Sequence, residues 1–294
     1  MDIRTVACTA LSKRMMSPPD ERMAAQDAYA DWRENSLLSS WRHFSDSELA
    51  AKDVLDFGCG DGQLAAMFAS KGLARSITGV DIDLPALERA RAALSNTPEY
   101  ADTLRFIEGD IAGLPIADES VDLITAFDCM EHVMQPEAIL ADWARVLRPG
   151  GRALIEWFTF KGPWGPHMEA LIPLPWAHVV FGEKAMFRTA ATIYDDPNFV
   201  PRHWDLDASG QKKPNKWTQW ESFEEQAYVN ELDIKNFRRM VSDAGLTIDR
   251  MDRSGFGGGG TGAKKALGDM MMALPVLGEY ATSYAVIALE KPRA

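Results

Sequence analysis

The 294-residue sequence predicts an α/β fold: a mostly parallel sheet with helices on both faces. Three observations predict it. Short apolar runs alternate with helix-like segments from Lys52 to about residue 160. The first apolar run enters a glycine-rich turn, VLDFGCGDG at residues 54–62. After a break, a helical stretch and two more strand-like segments resume the pattern. Parallel neighbours need a crossover between them, usually a helix, and alternation supplies one each time.

The elements follow in order. Residues 1–50 are polar and helical in pattern, with Tyr29, Trp32 and Leu37–Leu38 near helical spacing. DVLDF is the first buried strand, and QLAAMFASKG is a helix ending at Gly72. RSITGVDI is the second strand. LPALERARAALSN is a helix with Pro85 in its first turn and Asp83 as its N-cap. TLRFIEGDI and SVDLITAFD are the third and fourth strands, and PEAILADWARVLRPGG is a helix stopped by Pro149 and two glycines. RALIEWFTF is the fifth strand. Periodicity then weakens across a segment rich in Trp, Pro and His. ELDIKNFRRMVSDAG is a helix, GLTIDRMDRSGF a strand, GFGGGGTG a hinge or loop, and SYAVIALEK the last strand. The expected division is an N-terminal helical cap at 1–50, a ligand-binding core at 51–160, a substrate-covering insertion at 161–232 and a completion of the sheet at 233–294.

Charge and composition narrow the function. The chain carries 31 Lys and Arg against 43 Asp and Glu, net −12, with no basic run longer than two residues. A nucleic-acid partner is therefore not expected. Cys8, Cys59 and Cys129 are far apart and form no CxxC, which argues against a disulfide framework or a zinc knuckle. The N-terminus lacks a leader-like apolar core, and no run reaches the ~20 apolar residues of a membrane helix. The expectation is a cytoplasmic protein without stable membrane insertion. The apolar MMMALPVL is expected to pack on the sheet or to form a homodimer contact.

The turn at residues 54–62 decides among nucleotides. No lysine follows it to reach a phosphate, so it is not a P-loop. The third glycine of a dinucleotide fingerprint is replaced by Gln63. Asp56 would repel a pyrophosphate and suits a cation. S-adenosylmethionine is a sulfonium cation with a ribose and no phosphate. These residues resemble the class I S-adenosylmethionine-dependent methyltransferases. The match runs through D-x-G-x-G-x-G at Asp56, Gly58, Gly60 and Gly62, Asp81 in GVDID, Asp110 in EGDI, FDCMEHV after the fourth strand, and Leu147–Gly151. It covers roughly residues 50–160 and, more weakly, the final strands.

The resemblance implies a Rossmann-like sheet of seven strands in the order 3-2-1-4-5-7-6. It also implies S-adenosyl-L-methionine as cofactor and S-adenosyl-L-homocysteine as product. By the same resemblance the three glycines, with Cys59 between them, let the backbone approach the cofactor. Asp56 and Asp128 serve its methionine end, Asp81 the ribose hydroxyls and Ile82 the adenine face. Asp110 accepts from the adenine amino group, with Ile111 alongside.

The methyl group arrives activated, so the protein has to position a nucleophile and, for a hydroxyl, offer a base. Among five histidines, His132 lies in D-x-x-E-H. That spacing is similar to E-x-x-E-H of the ubiquinone-biosynthesis O-methyltransferases, where such acids and the histidine hold a divalent metal. Here Asp128 replaces the first Glu, and no metal is assigned. His167 and His178 sit eleven residues apart among Trp164, Trp176 and Phe181, a pocket-like composition. The candidate catalytic residues are His167, His178 and His132. The expected activity is methyl transfer to an oxygen or nitrogen of a small-molecule acceptor. Two alternatives stay open: a subunit that binds the cofactor without turnover, and C-methylation with cyclisation.

Overall fold

The computed structural model describes residues 2–17, 26–110, 113–255 and 263–293. The chain divides into two compact units. One holds residues 36–157, 234–253 and 284–294; the other holds 1–35, 158–233 and 254–283. Residues 36–50 therefore group with the sheet, and 254–283 with the helical unit, whereas the sequence pattern puts boundaries at 50 and 232. The glycine run at 256–262 lies outside the described residues.

The first unit is built on seven strands: β1 Asp53–Phe57, β2 Ser76–Asp81, β3 Leu104–Glu108, β4 Val121–Phe127, β5 Leu147–Phe158, β6 Thr247–Gly255 and β7 Thr282–Glu290. They lie in the order β3-β2-β1-β4-β5-β7-β6, as the resemblance implied. β1 pairs in parallel with β2 and β4, β2 with β3, and β4 with β5. Strands in the middle of such a sheet are covered on both faces, so they read as continuous apolar runs. Leu55, Leu123, Ile124, Leu154 and Ile155 are accordingly fully buried.

One face packs Val54, Leu123, Phe127 and Leu154 with Phe68, Trp41 and Leu49 in a single cluster. Trp41 meets Phe68 edge-on at 4.6 Å, and Phe44 stacks on Phe127 at 5.7 Å. Trp143, from the helix Pro136–Val146, is fully buried and meets Phe57 edge-on at 5.2 Å. Each such ring contributes on the order of 1.5–3 kcal/mol by leaving water.

Local chemistry sets the helix ends. Gly62 and Gly72 bracket the helix Gln63–Lys71 in left-handed backbone, φ +77° and +63°. Asp83 caps the helix Leu84–Ser95 by accepting from the Ala86 N–H at 3.2 Å, as its sequence position predicted. The LRPGG turn differs from expectation. The helix Pro136–Val146 ends before it, and Leu147 is already extended and paired with Val121. β5 therefore starts at Leu147 rather than at Arg152, running through Pro149 and both glycines. A register shift between Val121 and Leu123 absorbs them, because Pro149 has no N–H for a regular ladder.

The second unit contains the helices Ile3–Met15, Ala177–Phe181, Glu183–Tyr194 and Phe223–Gln226. Asp2 caps the first of them by accepting from Arg4 and Thr5 N–H. Its core gathers Cys8, Met168, Phe187, Ala190, Ile193 and Phe223, and the Thr9 and Thr189 hydroxyls meet at 3.1 Å within it. The apolar stretch near the C-terminus forms the helices Ala263–Met272 and Leu277–Ala281. Among the described residues, no helix is long and apolar enough to cross a membrane.

Candidate cofactor site at the carboxyl ends of the strands

Strand order reverses between β1 and β4, since β2 and β3 lie to one side and β5 to the other. A crevice at the carboxyl ends of the strands forms at such a point. The turn after β1 is tied to the neighbouring strand: the Gly58 and Cys59 N–H groups both donate to the Val80 carbonyl, at 2.9 and 3.1 Å.

The three glycines of the turn have different neighbours. All are in positive φ, +70°, +50° and +77°. A Cβ on Gly58 would lie 2.7 Å from Cys129 Cβ, and one on Gly62 would lie 2.4 Å from the Phe106 ring. A Cβ on Gly60 would meet nothing within 4 Å. Protein therefore packs beneath the outer two glycines, and the middle one faces open space.

Asp81 closes the turn from β2. Its carboxylate accepts from the Gly60 N–H at 2.7 Å and from the Asp83 N–H at 2.9 Å. One bond to each oxygen leaves lone pairs for further donors. Ile82, the next residue, is 63% exposed, an apolar platform at the end of a strand. Asp56 is buried at the end of β1 and accepts from the Thr125 hydroxyl of β4 at 2.9 Å. Sequence reading missed Thr125, and also Phe106 and Cys129 beneath the turn. Strand alternation carried the signal for Thr125, but only the β1–β4 register pairs it with Asp56.

Cys59 is half-buried in the turn, its N–H and carbonyl engaged by Val80 and Gly62. Burial, then the charges of Asp56 and Asp81, push its thiol far above the ordinary range, so it stays protonated. Cys129 is buried and shifted in the same direction, by burial and then by Glu131 and other acids.

Asp110, after β3, is exposed and forms a bridge with Gly113. Glu108, Gly109, Asp110, Gly113, Leu114 and Pro115 line a depression of about 370 Å³. Ile111 lies outside the described residues. Asp128 follows β4 with φ +49°, strained for a residue with a side chain, and its N–H donates to the Glu156 carbonyl at 3.1 Å. Glu131 and His132 follow on one short 3₁₀ turn, with Glu131 buried.

The other two candidate histidines, His167 and His178, belong to the helical unit. His167 sits at φ +53° and meets Phe158 edge-on at 5.4 Å. His178 packs on a different ring, Phe160, at 5.1 Å. Burial lowers its pKa from the usual 6.5 to about 4.

This set fits the cationic, ribose-bearing group that the resemblance implies. An open glycine, a carboxylate with spare lone pairs, an exposed apolar residue beside it and a buried acid stand at the carboxyl ends of β1 and β2. No lysine or arginine of the turn would meet a phosphate.

A family model described as a methyltransferase domain matches residues 55–155. A protein of Mycobacterium avium named an uncharacterized methyltransferase is 33% identical over 150 residues, 51% of this chain and 54% of that protein. One from Mycolicibacterium vanbaalenii of the same name is 34% identical over 145 residues, 49% and 52% of the two chains. The chain thus spans about half the length of the curated relatives it matches. Among solved structures, an S-adenosylmethionine-dependent methyltransferase of Methanosarcina mazei is similar with a TM-score of 0.50 at 18% identity, over 86% of this chain and 96% of that one. The [4+2]-cyclase SpnF is similar with a TM-score of 0.51 at 15% identity, over 94% and 86%. Likeness at these identities concerns the fold.

Proposed function

We propose that the chain carries a class I S-adenosylmethionine-dependent methyltransferase domain, as the methyltransferase model over residues 55–155 supports, and that it methylates an oxygen, or else a nitrogen, of a small-molecule acceptor. S-adenosylmethionine, when bound, supplies an electrophilic methyl group on a sulfonium, open to in-line displacement. The observation that carries the reading is the turn itself. Gly60 faces open space, and its N–H is held by the same Asp81 carboxylate that would receive the ribose.

Asp56, Gly58, Cys59, Gly60 and Gly62 would hold the methionine end, with Asp128 near it. Asp81, Ile82 and Asp110 would hold the adenosine. Residues 161–232 are proposed as the acceptor-binding insertion, on the strength of their aromatic and histidine content.

The histidines differ in what they could do. A ring with a pKa of about 4 binds a proton weakly, so His178 is a poor general base at neutral pH. It is neutral there and suits a role in orienting a hydroxyl. His167, in its left-handed turn, and His132, directly after β4, remain the candidate bases.

Isothermal titration with S-adenosylhomocysteine tests the site. Asp81→Ala should weaken binding about tenfold or more, because a hydrogen bond to a charged group is worth ~1.5–3 kcal/mol. Unchanged affinity would remove the ribose assignment. Mass spectrometry of hydroxyl- and amine-bearing acceptors, incubated with methyl-labelled cofactor, tests the transfer. A second reading keeps the cofactor without transfer to a heteroatom, since SpnF is named a cyclase on a similar fold. Cofactor binding with a rearranged product that carries the label on carbon, or carries none, would favour it.

A further inference from the structure

The loop after β3 is pinned by one arginine of the helix Pro136–Val146. Arg145 Nη2 donates to the Leu114 carbonyl at 3.0 Å, and Nη1 donates to the Ile116 carbonyl at 2.7 Å and to Asp118 at 2.6 Å. Its Nε donates to Asp142 at 2.6 Å, and the other oxygen of Asp142 accepts from the Leu114 N–H. Backbone groups at 114 and 116, which lie outside the sheet, are thus satisfied by two side chains one helical turn apart.

The pinned loop is continuous with the depression around Asp110. Leu114 lines it, and so does Gly113, whose N–H donates to the Asp110 carbonyl at 3.1 Å. Asp142 Oδ2 lies 3.7 Å from where a Cβ on Gly113 would stand. A line of contacts therefore runs from Arg145 and Asp142 through Leu114 and Gly113 to Asp110, all within the sheet unit.

We propose that Arg145 and Asp142 are positioning residues for the adenine wall: they hold the 113–118 loop so that Asp110 meets the purine amino group. The inference rests on Asp110 as the adenine acceptor. A planar guanidinium reaches four acceptors in one fixed geometry, and an ammonium does not. Lysine at 145 keeps the charge and loses the fork.

The test compares two ligands by titration calorimetry: S-adenosylhomocysteine and its analogue lacking the 6-amino group. The wild-type chain should prefer the first by about tenfold, the scale of one hydrogen bond to a carboxylate. Arg145→Lys and Asp142→Asn should bring that ratio close to one, while affinity for the deaminated analogue stays within about twofold. A merely structural role would weaken both ligands together. An unchanged ratio, or equal losses for both ligands in both variants, overturns the clamp alone. A wild-type chain that binds the two ligands equally overturns the Asp110 assignment and the clamp with it.

Discussion

Gly60 and Gly62 lie two residues apart in one turn and are glycine for different reasons. At Gly62 the obstacle is Phe106, 2.4 Å from where a Cβ would stand. At Gly60 nothing stands within 4 Å, so only its positive φ resists a side chain. Gly60→Ala should cost about 1 kcal/mol of stability, the scale of left-handed backbone in an L-residue. It should also cut cofactor affinity strongly, because its methyl group enters the open space. Gly62→Ala should cost roughly 3 kcal/mol, since overpacking adds to the backbone strain. Thermal melts and titrations of the two variants separate the effects; equal melts would refute the packing account.

His178 makes a separate prediction. Its folded pKa of about 4 lies below the usual 6.5, so the folded state resists its protonation. Above pH 6.5 the stability is undiminished. As pH falls from 6.5 towards 4, the unfolded chain takes up a proton that the folded chain does not, and stability is lost, by about 3 kcal/mol at most. Urea unfolding at about pH 7 and pH 5 should show a steeper loss in the wild type than in His178→Gln. Parallel losses would place the ring in solvent.

Between elements, the β1–β4 pair matters most to the site. Thr125 of β4 lends its hydroxyl to Asp56 of β1, and both are buried. Thr125→Val keeps the shape and removes the donor. It should cost about 1–3 kcal/mol in chemical denaturation and weaken cofactor binding as well. A neutral outcome would show that Asp56 draws its support elsewhere. Elements whose signals are local were readable in advance. Asp83 caps its helix because a short acid before Leu-Pro reaches the next turn's N–H groups wherever it occurs. The helix Glu183–Tyr194 was not read in advance: Met186, Phe187, Ala190, Ile193 and Tyr194 form its apolar stripe, but the surrounding prolines and tryptophans obscured it. The early start of β5 was not legible. LRPGG ends a helix on local rules alone, and only its pairing with Val121 turns it into strand.

At the scale of the whole molecule, the chain passes between its two units at 35/36, 157/158, 233/234, 253/254 and 283/284. Neither unit is a continuous piece. A fragment spanning residues 36–157 would lack β6, β7 and the helix Ile234–Asp243. β5 would become an open edge, and Trp157 would lose Phe237, 5.0 Å away across the missing segment. Circular dichroism and urea titration of that fragment should show no cooperative unfolding; a cooperative transition would make the first five strands self-sufficient.

The alternating apolar runs dictate a parallel α/β sheet, because period and length are properties of neighbouring residues. The acid–glycine turn disfavours a phosphate ligand and suits a cation, because charge at a fixed spacing needs no fold to be read; the nucleoside is what the resemblance implied. Tertiary structure decided which glycine faces open space, that Thr125 supports Asp56, and that Arg145 reaches back to the loop after β3. Each of these joins residues about 30 to 70 positions apart in sequence. Such distances close only when strands take their places in the sheet, and no local pattern encodes the partner.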